Sequence, residues 1–257
     1  MNVDSNSYTF SFATIMVLIV AALLSYAAIG LKPFQDRNIE LEKQQNILSS
    51  VGINVARDLA EGSYSKYIKE EFVLDYEGNE VDGIAFEVDL NKELKKDKNK
   101  QLLPLFISNI DGSKQYIIPL RGKGLWGPIW GFIALEKDLN TVYGAVFDHK
   151  AETPGLGAEI NQAFFQEPFV GKTIFDGEKL TSIKVVKGGA AIDDYHAVDG
   201  ISGGTITSDG VTDMLFERLN MYLPYLKKEK SEFEEKLVMN MDSVQILNDS
   251  LTELDYE

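Results

Sequence analysis

A run of 22 uncharged residues near the start of the chain, Phe10 to Leu31, limits the architecture more than any other feature. As a helix rising about 1.5 Å per residue, this run extends roughly 33 Å and crosses a bilayer core of about 30 Å. A cleaved signal peptide is the competing interpretation, because Ser25-Tyr26-Ala27 fits a small-x-small cleavage site. Signal peptides begin with positive charge, whereas residues 1–9 contain Asp4 and no lysine or arginine. The sequence therefore predicts a retained transmembrane helix.

Composition excludes several classes of function. A net charge of −15 argues against nucleic acid as a partner, because the surface repels phosphate backbones. The chain has no cysteine, which rules out disulfides, thiolate catalysis and cysteine-ligated metal centres. The 44% apolar content is sufficient for a folded core in a chain of 257 residues.

The periodicity beyond the anchor predicts an α+β architecture. Residues 36–60 show helical spacing, and Ile84 to Leu90 alternate apolar and polar side chains as a strand does. Thr153-Pro154 predicts the start of a helix that runs through Phe164. Further strands are predicted at 103–107, 116–120, 129–135, 141–147, 185–186 and 196–198. Because the four longer strands follow one another closely, we expect a mainly antiparallel sheet flanked by helices.

The last part of the chain predicts a helix from Ser208 that ends before Pro224. Beyond it, the acidic segment 231–257 carries apolar residues at three- and four-residue steps from Leu237 onward. This pattern is compatible with a docking helix and with a frayed tail. The resulting organisation is an N-terminal segment (1–9), a transmembrane helix (10–31), a helical stalk (32–70), one α+β domain (71–225) and an acidic helical extension (226–257).

The segment Asp199 to Ser208 consists almost entirely of glycine, hydroxyl and acidic residues ahead of the last helix. Paired glycines let a ligand approach the backbone, and a helix N-terminus offers N–H groups to a phosphate, although a surface turn has the same composition. Leu125-Trp126 between glycines offers a wall for a flat cofactor, with core packing as the alternative. The turn Pro154 to Gly157 gives a second place for close backbone approach.

Gly200 to Gly204 also fits the G-x-S-x-G pattern of a hydrolase with Ser202 as nucleophile. Hydrolases of that fold place histidine after the serine, whereas His149 and His196 both precede it. His149 and Glu152 have a spacing that metal sites use, but no third ligand accompanies them. A serine hydrolase and a cofactor-free, membrane-tethered binding module stay open as alternatives, and neither a catalytic residue nor a metal ligand is assigned.

Three segments resemble the signatures of the FMN-binding domain family. Asp199 to Thr205 is similar to the flavinylation motif D-x-x-S-G-A-T, and Gly124 to Gly127 and His149 to Gly157 look like the other two signatures, in the same order. Together with the anchor and the C-terminal helix, the chain resembles the C subunits of Na⁺-translocating NADH:quinone oxidoreductases. The G subunits of Rnf electron-transport complexes share the domain and are the nearest alternative. Gly204 stands where the motif usually has alanine.

The resemblance implies that a flavin transferase esterifies FMN to Thr205 Oγ, with FAD as donor. It implies a single-electron carrier that works with the other membrane subunits of a sodium-pumping complex in the bacterial inner membrane. Its main domain would be periplasmic, although Lys32 and Arg37 next to the anchor favour the cytoplasm. Lys187 would add positive charge near the flavin. The expected recognition sequence and phosphate shell are Asp199, Ser202, Gly203 and Gly204, and the expected ring or ribityl contacts are Leu125, Trp126, Glu152, Thr153, Leu156 and Gly157.

Overall fold

The structure is a computed structural model that describes the backbone of residues 5–254 and the side chains of residues 5–233. It divides into two compact units, one up to Gln44 and a second from Gln45 onward. Helix α1 (Asn6–Ser50) is long and apolar enough to cross a membrane, and its apolar stretch is not buried by the protein. The helix predicted at 36–60 was wrong at its C-terminal end. Helix α1 stops at Ser50, and Gly52 follows in the left-handed region with a φ of 76°.

A six-stranded sheet forms the centre of the second unit, in the order β2-β1-β3-β4-β5-β6, and every neighbouring pair is antiparallel. All four longer predicted strands are confirmed, and β1 and β2 were not foreseen. The structure is therefore α+β, as expected. The strands are β1 (Ile68–Leu74), β2 (Glu80–Val81), β3 (Leu103–Ile110), β4 (Ser113–Lys123), β5 (Pro128–Leu135) and β6 (Val142–His149).

The sheet is covered on both faces, so its central strands are apolar almost throughout. Along β3, Leu105 and Ile107 belong to one core cluster while Phe106 between them belongs to the other. The second cluster includes Ile47 and Leu48 from the end of α1, together with residues of helix α2 (Ala60–Tyr67). The first cluster includes the buried face of the last long helix. Because β3, β4 and β5 alternate between two buried faces, their apolar residues run with few interruptions.

The last helix, α5 (Thr205–Leu254), is longer than predicted at both ends. It begins at Thr205 rather than Ser208, and it continues through Pro224 because Tyr225 and Leu226 beyond the proline are buried in the core. The helix lies close to β4, since a Cβ on Gly210 would contact the carbonyl oxygen of Lys123. The leucines from position 237 onward, on which the docking interpretation rests, lie outside the described side chains.

Two other predicted elements were wrong. Residues 84–90 form a short 3-10 turn, Ala85–Glu87, and then the start of α3 (Leu90–Glu93), where Asp89 caps the helix through the backbone N–H of Asn91. Residues 153–164 do not form one helix, because Gly155 adopts a φ of 77° and only a 3-10 turn, Gly157–Asn161, and α4 (Ala163–Gln166) follow. Small paired strands complete the fold: β7 (Phe175–Asp176) with β8 (Lys179–Leu180), and β9 (Lys184–Val186) with β10 (Ala197–Asp199).

Candidate functional site

Strand β10 carries the chain directly into the glycine-rich loop. It pairs in parallel with β9, and the Gly200 N–H continues the ladder by donating to the Val186 carbonyl at 2.8 Å. Asp199 Oδ1 accepts a 2.8 Å hydrogen bond from the Ala190 N–H, so this side chain holds the loop that contains Lys187. Gly203 has a φ of 76°, in the left-handed region that disfavours side chains, and it turns the chain toward α5.

The loop ends at the N-terminus of α5. The Ser208 N–H is bonded to the Gly204 carbonyl at 2.9 Å and is the first helical donor. The three preceding N–H groups, of residues 205–207, have no acceptor among the described residues. Thr205 is the first helical residue and is half-buried, while Ser202 and Gly203 before it are exposed. Unpaired N–H groups and the helix dipole favour a negatively charged group at this point.

The second segment is the turn between β4 and β5. Gly124 N–H donates to the Gly127 carbonyl at 2.8 Å, which closes the turn and turns the two intervening side chains outward. Leu125 is 47% exposed and Trp126 is 67% exposed. Core packing therefore does not explain these two residues, and they form an apolar surface available to a ligand.

The third segment follows β6 and approaches the loop within van der Waals distance. The Leu156 N–H donates to the Thr153 carbonyl, and Leu156 itself is 40% exposed. A Cβ on Gly203 would lie 2.6 Å from Leu156 Cδ2, and a Cβ on Gly204 would lie 3.3 Å from the Gly157 nitrogen. Glycine at these positions allows the two backbones to meet, and it leaves Leu156 beside the loop.

Glu152 joins all three segments. It is only 5% exposed, and its Oε1 accepts a 2.9 Å hydrogen bond from the Trp126 N–H. Its Oε2 accepts a 2.6 Å hydrogen bond from the buried Thr207 hydroxyl, and its own N–H donates to His149 Nδ1 at 3.2 Å. Both carboxylate oxygens thus bind donors of the protein, so Glu152 holds the surrounding segments in position.

The expected site residues fall into two groups. Most lie where the three segments meet, whereas Thr153 is exposed on the turn of the third segment and Lys187 is exposed on the loop that Asp199 holds. Two residues were missed, Thr207 and Ser208, which are almost fully buried in the first turn of α5. The Ser208 hydroxyl accepts from the Ile201 N–H at 3.2 Å. Their position among several hydroxyl residues was visible in the sequence, but their partners were not.

The hydrolase alternative has no support in the geometry. Ser202 makes no hydrogen bond to a histidine within the described part of the chain. His149 Nδ1 accepts from the Glu152 N–H, and His196 Nδ1 lies 2.7 Å from the Thr173 carbonyl oxygen. A serine nucleophile needs a histidine within hydrogen-bond reach as its base.

The arrangement suits a flat ligand that carries a phosphate. Glycine backbone and unpaired helical N–H groups could meet a phosphate, and exposed apolar side chains could contact a ring. This fit rests on the close approaches at Gly157, Gly203 and Gly204, which a Cβ would fill, and on the partial exposure of Thr205 beside them.

The comparisons with known proteins agree with this geometry. Residues 124–220 match the FMN-binding domain model. The C subunit of the Na(+)-translocating NADH-quinone reductase of Vibrio anguillarum is 36% identical over 82% of this chain and 89% of its own length, and that of Neisseria meningitidis serogroup A is 34% identical over 89% and 96%. The crystal structure of the C subunit of the same reductase from Parabacteroides distasonis has a TM-score of 0.72 at 45% identity, covering 76% of this chain and 96% of its own.

Shewanella oneidensis NqrC has a TM-score of 0.62 at 27% identity, covering 74% of this chain and 98% of its own. The matches to these relatives extend well beyond residues 124–220, the part that matches the FMN-binding domain. The chain belongs to the family of the C subunits of Na⁺-translocating NADH-quinone reductases.

Proposed function

We propose that this chain carries FMN covalently on Thr205 and relays single electrons within a Na⁺-translocating NADH:quinone oxidoreductase. The observation that carries the proposal is the position of Thr205. It is the first residue of α5, in a loop that meets the other two signature segments through Leu156, Gly157 and Glu152. A phosphoester on its hydroxyl would lie beside the free N–H groups of the helix N-terminus.

The neighbouring hydroxyls are less suitable attachment points. Thr207 is 1% exposed and donates its hydroxyl proton to Glu152, so it is neither accessible nor free. The Ser208 hydroxyl is buried and accepts a bond from the Ile201 N–H. Ser202 is exposed but lies before the positive-φ turn at Gly203, three residues ahead of the helix. Thr205 combines partial exposure with the helix terminus.

Bound FMN supplies reversible one-electron transfer, and the protein sets its surroundings. Leu125, Trp126 and Leu156 would contact the ring, because they are the exposed apolar side chains of the three segments. Asp199, Ser202, Gly203 and Gly204 would form the recognition sequence and phosphate shell. A phosphoester leaves the ring itself unmodified, so its potential depends on these contacts while the cofactor cannot diffuse away.

The rest of the chain fits a protein held at a membrane. Helix α1 would anchor it in the bacterial inner membrane, and the domain would face the periplasm, where a lost cofactor could not be recovered. Its partners would be the other membrane subunits of the complex, and a flavin transferase during maturation. Lys187 would add positive charge on the loop beside the flavin site.

Intact mass spectrometry after co-expression with a flavin transferase tests the attachment. The wild-type chain should carry one FMN increment and Thr205→Val none, while Thr205→Ser, which keeps a hydroxyl, should retain it. Ser202→Ala removes the neighbouring exposed hydroxyl; it should lower the yield of modification, since Ser202 would belong to the recognition sequence, but the modified fraction should still carry the increment on Thr205. An increment that persists in Thr205→Val and disappears in Ser202→Ala would reject Thr205 as the attachment residue.

A further inference from the structure

A cavity lies along α5, well away from the proposed flavin site. Its volume is about 480 Å³, within the range of small-molecule pockets. It is lined by the apolar residues Leu94, Leu103 and Met221 and by the charged residues Arg218, Glu217 and Lys98. Arg218 follows Thr205 by 13 residues, which corresponds to about 20 Å along a helix. A ligand in this cavity therefore does not share the site at the helix N-terminus.

Arg218 lines this cavity with an incompletely paired guanidinium. Its side chain is 10% exposed, and its Nε is buried without a hydrogen-bond partner among the described residues. Nη1 lies 3.0 Å from Met221 Sδ, and thioether sulfur is a weak acceptor. A buried donor without a partner is costly, and a buried charge more so.

Glu217 does not supply the missing partner. One of its oxygens accepts from Arg218 Nη2 at 2.7 Å, but its side chain is 62% exposed. Ion pairs with so exposed a member contribute little, and the contact leaves Nε unpaired. The part of the guanidinium that lines the cavity offers N–H donors, which pair with the oxygens of a carboxylate or phosphate.

We propose that this cavity binds a small organic anion, with a planar oxyanion on Arg218 and a short apolar body against Leu94, Leu103 and Met221. Lys98 is exposed and lines the same cavity, and it adds a second positive charge. Glu217 is the one acidic side chain among the described residues of the lining, so it competes with the ligand for Arg218. The site recognises a carboxylate class of ligand that nothing in the proposed electron transfer uses.

Fluorine NMR titration of the full chain, purified in detergent with its flavin bound, tests the proposal with para-fluorobenzoate as the probe. This probe has a planar carboxylate and a compact apolar ring. We expect saturable binding with a dissociation constant on the order of 1 mM or tighter. The neutral isostere para-fluorobenzamide should bind at least about tenfold more weakly, because it lacks the charge that pairs with Arg218. Equal binding of the two probes would overturn the proposal.

Two substitutions with opposite effects separate this site from non-specific uptake. Arg218→Met should weaken para-fluorobenzoate binding by about tenfold or more, whereas Glu217→Gln should strengthen it, because it removes the competing carboxylate. Glu217 and Lys98 are exposed, so Glu217→Gln and Lys98→Glu report on the site even if Arg218→Met folds poorly. Lys98→Glu should weaken binding, and Lys95→Glu, outside the lining, should not. Unchanged binding in Glu217→Gln and Lys98→Glu would refute the assignment.

Discussion

Glu152 Oε2 and Thr207 Oγ1 are 2.6 Å apart and form a hydrogen bond between two almost fully buried residues, 55 positions apart in the chain. Through this bond, the segment after β6 is fixed to the first turn of α5. The other carboxylate oxygen is bonded to the Trp126 N–H, so the same side chain also fixes the turn between β4 and β5. The shape of the proposed flavin site consequently depends on this one carboxylate.

Thr207→Val should lower the free energy of unfolding by about 1.5–3 kcal/mol, because it removes a buried hydrogen bond to a charged group and leaves Oε2 unpaired. Urea denaturation followed by tryptophan fluorescence measures this change in the unflavinylated chain. Thr205→Val is the matched control, since it is the same substitution two residues earlier, at a half-buried position whose side chain has no hydrogen bond within the described residues. It should change stability by less than about 0.5 kcal/mol. Similar losses in both variants would contradict the special role of the Glu152 contact.

Alanine substitutions at the two adjacent glycines of the loop should differ in cost, because Gly203 has a positive φ and Gly204 does not. Gly203→Ala places a methyl group on a residue with a φ of 76° and against Leu156. It should lower the free energy of unfolding by about 1–2 kcal/mol. Gly204→Ala restores the residue that the flavinylation motif usually has, and its Cβ would lie 3.0 Å from Ile201 Cγ2. Ile201 is half-buried and can shift, so we expect a smaller cost and normal FMN attachment.

Urea denaturation and intact mass of the two variants give the comparison. A Gly204→Ala variant that loses more stability or more FMN than Gly203→Ala would show that crowding, rather than backbone conformation, limits this loop.

The sequence predicted the sheet because strand patterns are local. Runs such as those of β3 and β5 are apolar and bounded by turn signals, and these features persist whichever face each side chain covers. Alternation misled at 84–90, because Phe86 and Val88 pack half-buried against the second core cluster from a 3-10 turn and its end, while Ile84 is exposed. The helix predicted from Thr153 failed at Gly155, whose positive φ no periodicity reveals.

The composition of the site was visible in the sequence, but its connections were not. The glycine loop and the outward Trp126 stood out by composition. The bond between Glu152 and Thr207 joins residues from different elements, and the sequence offers several other hydroxyls as equal candidates. The passage of α5 through Pro224 was likewise decided by tertiary packing, because burial of Tyr225 and Leu226 outweighs the lost backbone bond.

Alkaline pH should destabilise the domain through its buried tyrosines. Burial raises the pKa of the Tyr222 phenol, although the positive charge of Arg218 offsets part of the effect. The phenol of the unfolded chain loses its proton above about pH 10, while that of the folded chain keeps it. The contribution of Tyr222 to the free energy of unfolding is therefore fully present below that pH and falls as pH rises above it.

In urea denaturation between pH 9 and 11, the free energy of unfolding should fall more steeply for the wild type than for Tyr222→Phe. The difference in slope should be up to about 1.4 kcal/mol per pH unit. At neutral pH the variant should be less stable by about 1 kcal/mol, because Tyr222 donates to the Pro104 carbonyl at 2.7 Å. Tyr195→Phe, at an exposed position, serves as the control and should leave both quantities unchanged. If Tyr222→Phe did not reduce the loss of stability with rising pH, Tyr222 would be rejected as its source.

The side of the membrane on which the domain lies can be tested by cysteine labelling, because the chain contains no cysteine of its own. Ile192 is fully exposed in the second unit, and Ser7 is exposed near the start of α1. A membrane-impermeant maleimide applied to intact spheroplasts should label Ile192→Cys, whereas Ser7→Cys should be labelled only after permeabilisation. The cysteine-free wild type should give no signal in either condition. The reverse pattern would place the domain in the cytoplasm, in accord with Lys32 and Arg37 beside the anchor, and would reject the periplasmic assignment.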